Sequence, residues 1–418
     1  MSVIELKPGS SGGGRGLAWQ SLTAIRRRWV AAAFTVCAVY GGAVALFAGL
    51  PLHRFWGVSA GIGYLLAAVA VLAWRARRPS GLDLALALSF CGALIVPLLW
   101  MAAAGKQQPE VTVIINSARM LVHHGTPYQS TAALSAAHRR YDYDPYLPVM
   151  TLFGLPRGLG GARMVTDPRI WFGVIFVAAF GLALAVAGGR DWLRWTAFIA
   201  ASPVIALELA VGGTDVPVLA LMCLGMALLW MPPRQAGPVP GEPSRARPVL
   251  AGLALGVAAA MKATAWPALV IAFVLLLVTE GKRATIRFTL TALAVCAVLI
   301  GPFAAISPGA LVTNTISFPL GLTSSRSPAA SPLPGHLLAA TGHTGHLIAV
   351  GLLALAGLAV AASLVVRPPR TVPSATWRLI LGLALMFTLA PATRFGYYLY
   401  PVGLLVWLLI ARTGRRAA

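Results

Sequence analysis

Arg26-Arg27-Arg28 runs straight into Trp29-Val-Ala-Ala-Ala-Phe-Thr-Val-Cys-Ala-Val-Tyr-Gly-Gly-Ala-Val-Ala-Leu-Phe-Ala-Gly-Leu50, a stretch without one charged side chain. Hydrocarbon offers the backbone no hydrogen-bond partners, so a run of about 20 such residues crosses a bilayer as a helix. It is longer than the apolar region of a signal peptide and leaves by no small-x-small cleavage site, so it reads as the first transmembrane helix. The pattern then repeats. Apolar runs predict helices at about 29–50, 56–74, 82–103, 170–188, 193–211, 215–231, 249–261, 264–279, 288–306, 347–366, 377–391 and 396–411. The expected fold class is an all-α polytopic membrane protein of about 12 transmembrane or half-membrane helices. With 58% of 418 residues hydrophobic and 11% charged, a string of soluble domains is excluded. The formal charge of +22 lies in short basic clusters between the runs, so it reports topology and not a nucleic-acid partner. Cys37, Cys91, Cys223 and Cys296 each lie inside an apolar run and read as small core residues.

Arg26–Arg28, Arg75/Arg77/Arg78, Arg190/Arg194, Arg234/Arg245/Arg247, Lys282/Arg283/Arg287, Arg367/Arg370/Arg378 and Arg412/Arg415/Arg416 occupy alternate connections. The bias of Lys and Arg toward the cytoplasmic side then puts both termini in the cytoplasm. Residues 1–28 read as an irregular N-terminal segment, 29–103 as three N-terminal helices, 170–411 as the remaining helical core and 412–418 as a tail. The Pro-rich basic segment 232–248 reads as a disordered linker. Lys262 and Pro267 interrupt 249–279, which predicts two half-length helices or a re-entrant hairpin. Two long connections, 104–169 and 307–346, fall on the opposite, extracytoplasmic side. Loops of that length usually carry function.

The first of them opens with Pro109-Glu110 and continues to Gly125-Thr-Pro-Tyr128 with apolar residues at helical spacing, which predicts an amphipathic helix on the membrane surface. Glu110 is placed either to cap that helix or to deprotonate an acceptor hydroxyl. Asp142 and Asp144, in Tyr141-Asp-Tyr-Asp-Pro-Tyr146, are the reserve acids, and Tyr128, Tyr143 and Tyr146 suit either sugar stacking or an interfacial belt. Glu208, Asp215 and Lys262 lie within or beside apolar runs, where ionisable groups need a partner or a polar cavity. Asp215 follows Gly212-Gly213-Thr214 at a helix start; Lys262, with Arg394, is suited to gripping a lipid phosphate or to snorkelling toward headgroups. His336, His343 and His346 populate the second loop and leave a ligand or acid-base role open. No P-loop, nucleophile elbow, His-Glu-x-x-His or Cys-x-x-Cys motif occurs, and the acids lack metal-ligand spacing, so no metal or other cofactor is expected.

Many spans, an early outer-loop acid, a helix closing on Gly125-Thr-Pro-Tyr128, Tyr143-Asp-Pro-Tyr146, the Gly212-Gly213-Thr214-Asp215 turn, the Gly-rich helix ending at Lys262, and Arg394-Phe-Gly-Tyr-Tyr-Leu-Tyr-Pro401 together resemble the GT-C superfamily of membrane glycosyltransferases. Within it the pattern looks like glycosyltransferase family 87, the polyprenyl-phosphate-mannose-dependent mannosyltransferases of actinobacteria. The family acid is normally Asp, and Glu110 is one methylene longer. The resemblance implies a GT-C-like bundle that moves a sugar, mannose first, from a polyprenyl-phosphate donor to a lipid or glycan acceptor with inversion. It implies Glu110 as the base, with Asp142 and Asp144 behind it, and Lys262 and Arg394 on the donor phosphate. Tyr128, Tyr143, Tyr146, Asp215 and His343 are the expected substrate contacts. The competing expectations are a secondary transporter or flippase coupled through Glu208, Asp215 and Lys262, and a GT-C-like scaffold without activity.

Overall fold

The computed structural model describes residues 12–73, 80–137, 141–189, 191–230, 246–325 and 327–416. The basic connection at 75–78, most of the linker at 232–248 and the start of the N-terminal segment lie outside these residues. Among the described residues the secondary structure is helical, apart from one isolated bridge between Ala330 and Thr393. Among the described residues eight helices are long and apolar enough to cross a membrane, and a bent pair makes up to nine. The shorter apolar helices Asp215–Leu229, Ala246–Met261 and Ala263–Thr279 bring the total to the expected dozen. The chain is a multi-pass, all-helical membrane protein.

Two compact units can be described. The first holds α1 (Gly12–Phe47), α2 (Pro51–Ala73) and the beginning of α3 (Leu82–Ala103). Lipid supplies little hydrophobic drive between helices, so close backbone approach at small residues takes its place. A Cβ at Gly63 would stand 2.7 Å from the Gly92 Cα, and one at Gly57 2.5 Å from the Ala45 nitrogen. At Cys91–Ile95 the helix widens into a π-type turn. The carbonyls there accept from side chains of α2: Trp56 Nε1 donates to the Ala93 oxygen at 2.8 Å and Ser59 Oγ to that of Gly92 at 2.7 Å. That satisfies backbone oxygens that lipid could not.

The second unit contains α4 (Pro109–His124), α5 (Pro168–Val186), α6 (Trp192–Ala200), α7 (Pro203–Val211), α8 (Asp215–Leu229), α9 (Ala246–Met261), α10 (Trp266–Thr279), α11 (Lys282–Ile306), α12 (His343–Val366), α13 (Val372–Leu389) and α14 (Leu399–Arg416). Its centre is α8, buried over nearly its whole length. α4 is the amphipathic helix the loop sequence predicts. It buries Val111, Val113, Ile114, Ile115, Ser117 and Ala118 and ends on Gly125 at φ 72°, a left-handed cap that glycine adopts without strain. The next segment packs under it at Gly154, where a Cβ would clash with the Ile114 carbonyl and stand 3.0 Å from the Ala118 Cβ. Gly154→Val is therefore expected to destabilise the protein by about 1–3 kcal/mol, as overpacking does. Thermal unfolding in detergent reads this, and an unchanged melting temperature would show that α4 is not pinned there.

Several boundaries differ from the sequence expectation. The first helix begins at Gly12, so residues 12–28 are helical and not irregular, and it ends at Phe47 because Pro51 starts the next. The predicted helix 193–211 is two helices bent by 61° around Ser202-Pro203. The last helix runs on to Arg416, which takes in most of the expected tail. The linker's last residues, 246–248, already belong to α9. Of the two forms left open for 249–279, the described one is a pair of helices broken at Lys262, whose backbone is extended at φ −158°, ψ 138°.

Candidate active site

Pro109 occupies the first turn of α4, and Glu110 follows it at the end where the helix dipole favours a carboxylate. Two contacts fix this end. The Gln108 N–H donates to the Val211 carbonyl at 3.0 Å, and a Cβ at Gly212 would stand 3.2 Å from the Gln108 Cβ and 3.4 Å from Val111 Cγ2. Arg394 comes from an extended segment stitched to the second long loop. The Thr393 N–H donates to the Ala329 carbonyl and the Ser331 N–H to that of Thr393, both at 2.9 Å. The buried Thr393 hydroxyl bonds the Phe387 carbonyl at 2.7 Å, and the Phe395 N–H reaches Ser331 Oγ at 3.1 Å. Held in this way, Arg394 Nη1 forms an ion pair with Glu110 Oε1. Glu110 Oε2 is buried and has no hydrogen-bond partner among the described residues. A buried acceptor left unmade costs about 1–3 kcal/mol, so a donor arriving there is welcome.

A second ion pair lies one helix over. Lys262, at the α9–α10 break, donates to Asp215 Oδ1 at 2.5 Å, and the Tyr400 hydroxyl donates to the same oxygen at 2.6 Å. Thr264 Oγ1 donates to the Tyr400 oxygen at 2.9 Å. The ammonium also stands 4.9 Å from the Tyr397 ring centre and 5.5 Å from that of Tyr146, within cation–π reach. Asp215 sits in the first turn of α8, again at a dipole's favourable end. Glu208, one turn before Gly212, accepts the Gly212 and Gly213 N–H groups on its backbone carbonyl at 2.9 and 2.5 Å. This turn is clamped from behind by the fully buried Arg169, which pairs with Asp167 at 2.7 Å and donates to the Ala210 carbonyl at 2.7 Å. Because Gly212 abuts Gln108 and Gly396 abuts Glu208, both ion pairs belong to one neighbourhood.

Several expected site residues turn out to be scaffold. Asp144 is buried; Ser117 Oγ donates to its Oδ2 at 2.6 Å, the Tyr146 N–H donates to its Oδ1 at 3.0 Å, and its own N–H donates to Asn314 Oδ1 at 2.8 Å. With both oxygens engaged, it ties the loop to α4 and to the segment around Asn314. Burial pushes its carboxyl up to about 7, against the opposing pull of the Ser117 and Tyr146 bonds. The folded state thus holds this proton more tightly than the unfolded chain, so the stability it contributes is present at low pH and lost as pH rises toward 7. Between pH 5 and 8 the melting temperature of the parent is expected to fall relative to Asp144→Asn. Parallel profiles would remove Asp144 as the cause.

Tyr128 is buried, with its hydroxyl on the Tyr146 carbonyl at 2.9 Å, and Tyr143 stacks on Phe318 at 4.4 Å. Neither presents a face for a sugar; both rings fill the loop's core. Tyr146 is also buried, yet its ring faces Lys262. Asp142 is half-buried and makes no hydrogen bond or ion pair among the described residues. His343 is exposed at the start of α12, and no contact among the described residues joins it to the ion pairs. His336 instead pins the loop, with Nδ1 2.9 Å from the Pro391 carbonyl. Sequence reasoning missed Tyr400 and Tyr397 as partners of Asp215 and Lys262, although both stand in the Arg394–Pro401 motif. It also missed Arg169, for which no local signal exists.

A sequence profile of glycosyltransferase family 87 matches residues 145–391. No curated protein matches the chain. Two solved structures are similar. ArnT from Cupriavidus metallidurans bound to undecaprenyl phosphate aligns with TM-score 0.49 and 17% identity over 82% of this chain and 61% of that one. The apo state of the same protein aligns with TM-score 0.46 and 17% identity over 79% and 60%. This chain thus spans about three-fifths of the length of the ArnT chains it matches.

Proposed function

Because the chain belongs to glycosyltransferase family 87, we propose that it transfers a sugar, mannose first, from a polyprenyl-phosphate donor to a hydroxyl of a lipid or glycan on the extracytoplasmic face. The observation that carries this reading is the state of Glu110: one oxygen paired with Arg394, the other buried without a donor. An acceptor hydroxyl supplies that donor. Glu110 takes its proton as the hydroxyl oxygen attacks the anomeric carbon from the face opposite the phosphate. The new C–O bond forms as the bond to the phosphate oxygen breaks, and the configuration inverts. The polyprenyl phosphate departs with the bonding pair, and the growing charge on it falls to Arg394 and Lys262.

Both cations are already neutralised by carboxylates in the resting protein, but neither is used up. A guanidinium has five N–H donors and an ammonium three. Arg394 touches Glu110 through one nitrogen, and Lys262 gives a single bond to Asp215. The phosphate therefore joins the two pairs without breaking them. Tyr146 and Tyr397 shield Lys262 and narrow the space in which a phosphate fits. The transporter reading finds less support, since Glu208, Asp215 and Lys262 gather at the same helix ends as Glu110 and do not form a path through the bundle.

Purified protein in nanodiscs, given polyprenyl-phosphate [14C]mannose and an extract of envelope lipids and glycans, is expected to yield a labelled product of the opposite anomeric configuration. Retained configuration would reject single displacement, and the absence of any labelled product would reject the donor class.

A further inference from the structure

We propose that Glu208 accepts a hydrogen bond from a hydroxyl of the donor sugar and so selects which sugar is transferred; this rests on the function proposed above. Glu208 is half-buried on α7 between the buried Leu207 and Leu209. Its backbone holds the Gly212–Gly213 turn, but its carboxylate makes no hydrogen bond or ion pair among the described residues. Oε1 lies where a Cβ at Gly396 would be only 2.5 Å away, so the missing side chain at 396 makes room for this carboxylate. Gly396 stands two residues from Arg394 and next to Tyr397, the ring under Lys262.

A carboxyl group inside a helical bundle is costly unless something engages it; Lys262 and Asp215 act on this one through space, but no described residue gives it a hydrogen bond or an ion pair. Any residue would serve the backbone turn equally well, so a carboxyl group given room by Gly396 and left without a hydrogen-bond partner among the described residues points to a ligand. Three ligands can be compared. A phosphate is repelled by Glu208 and drawn to Arg394 and Lys262 on either side. A cation meets the Lys262 ammonium, and the described residues hold no set of three or more His, Cys, Asp or Glu side chains that could bind a metal. A sugar hydroxyl carries a hydrogen to donate, and its bond to a charged acceptor is among the stronger ones. The sugar of a donor gripped at Arg394 and Lys262, with its anomeric carbon near Glu110, lies against Gly396 and hence against Glu208.

The test compares the parent and Glu208→Gln with polyprenyl-phosphate mannose and its 2-, 3-, 4- and 6-deoxy analogues. The variant is expected to lose about ten- to a hundredfold in kcat/KM with the parent donor, the worth of one hydrogen bond to a charged group. One deoxy analogue should cost the parent protein the same factor and cost Glu208→Gln nothing further. Gly396→Ala, which crowds the carboxylate, should reproduce the loss. The melting temperature of Glu208→Gln should stay at or above that of the parent, because the substitution breaks no hydrogen bond or ion pair with a described residue. Equal sensitivity of parent and variant to every analogue overturns the role of Glu208 and leaves the donor class standing. If the parent transfers no sugar from any of these donors, both readings fall.

Discussion

With Glu110 changed to Gln, sugar transfer from a polyprenyl-phosphate donor falls by about 10²–10⁴-fold, the contribution of a positioned general base. Gln keeps an oxygen for Arg394 and the shape of the side chain, so α4 should stay where it is. What it loses is the capacity of the second position to take a proton, which is where Oε2 now waits without a donor. Arg394 is 32% exposed and can be hydrated when its partner loses charge. Stability should therefore change by less than about 1 kcal/mol, as for a partly exposed pair. Steady-state transfer and thermal unfolding of the same preparation separate the two effects. Retained transfer would dismiss Glu110 as the base. A matched loss of transfer and folding would make it a structural acid. Glu110→Asp retracts the carboxylate by one methylene from Arg394 and reports how much the distance matters.

The second large effect concerns Lys262 and Asp215. Their side chains are only 11% and 10% exposed. Removing one partner strands the other charge away from water, and such losses cost about 3–5 kcal/mol. Lys262→Met leaves Asp215 with Tyr400 alone; Asp215→Asn leaves the ammonium facing two aromatic rings. The double variant removes both charges and should regain most of the lost stability, a coupling that only a double-mutant cycle isolates. Transfer should not return with it, because the phosphate then lacks one of its two cations. A preorganised charge of this kind is worth about 10²–10³-fold in rate. If the two single losses simply add in the double variant, the pair is not coupled. If the double variant transfers sugar at the parent rate, Lys262 has no part in holding the phosphate.

Much of this arrangement could be read from local pattern. The apolar runs, the periodicity of 109–124 and the glycine closing it specify helices through interactions a few residues long. The segregation of Glu110, Lys262 and Arg394 to helix ends follows from the cost of charge in hydrocarbon. Which charge meets which is a different matter. Lys262 was expected to face a phosphate, and its sharing of Asp215 with Tyr400 depends on how three separate helices pack. The surroundings of the loop residues were hidden for the same reason. Tyr143 looks like an exposed platform until Phe318 covers it, and Asp144 looks like a free acid until Asn314 and Ser117 enclose it. These partners lie up to 185 positions apart, and neither periodicity nor spacing encodes them. The bend between α6 and α7 was hidden because both arms are apolar, so only Ser202-Pro203 marks it.

The stitching of Arg394 to Ala329 and Ser331 also bears on how the protein is made. Glu110 leaves the ribosome early, but the guanidinium that grips it emerges only after every helix up to α13. Throughout translation the nascent chain therefore carries an incomplete centre. Until α13 has been made, the carboxylate of α4 stands without the guanidinium that pairs with it.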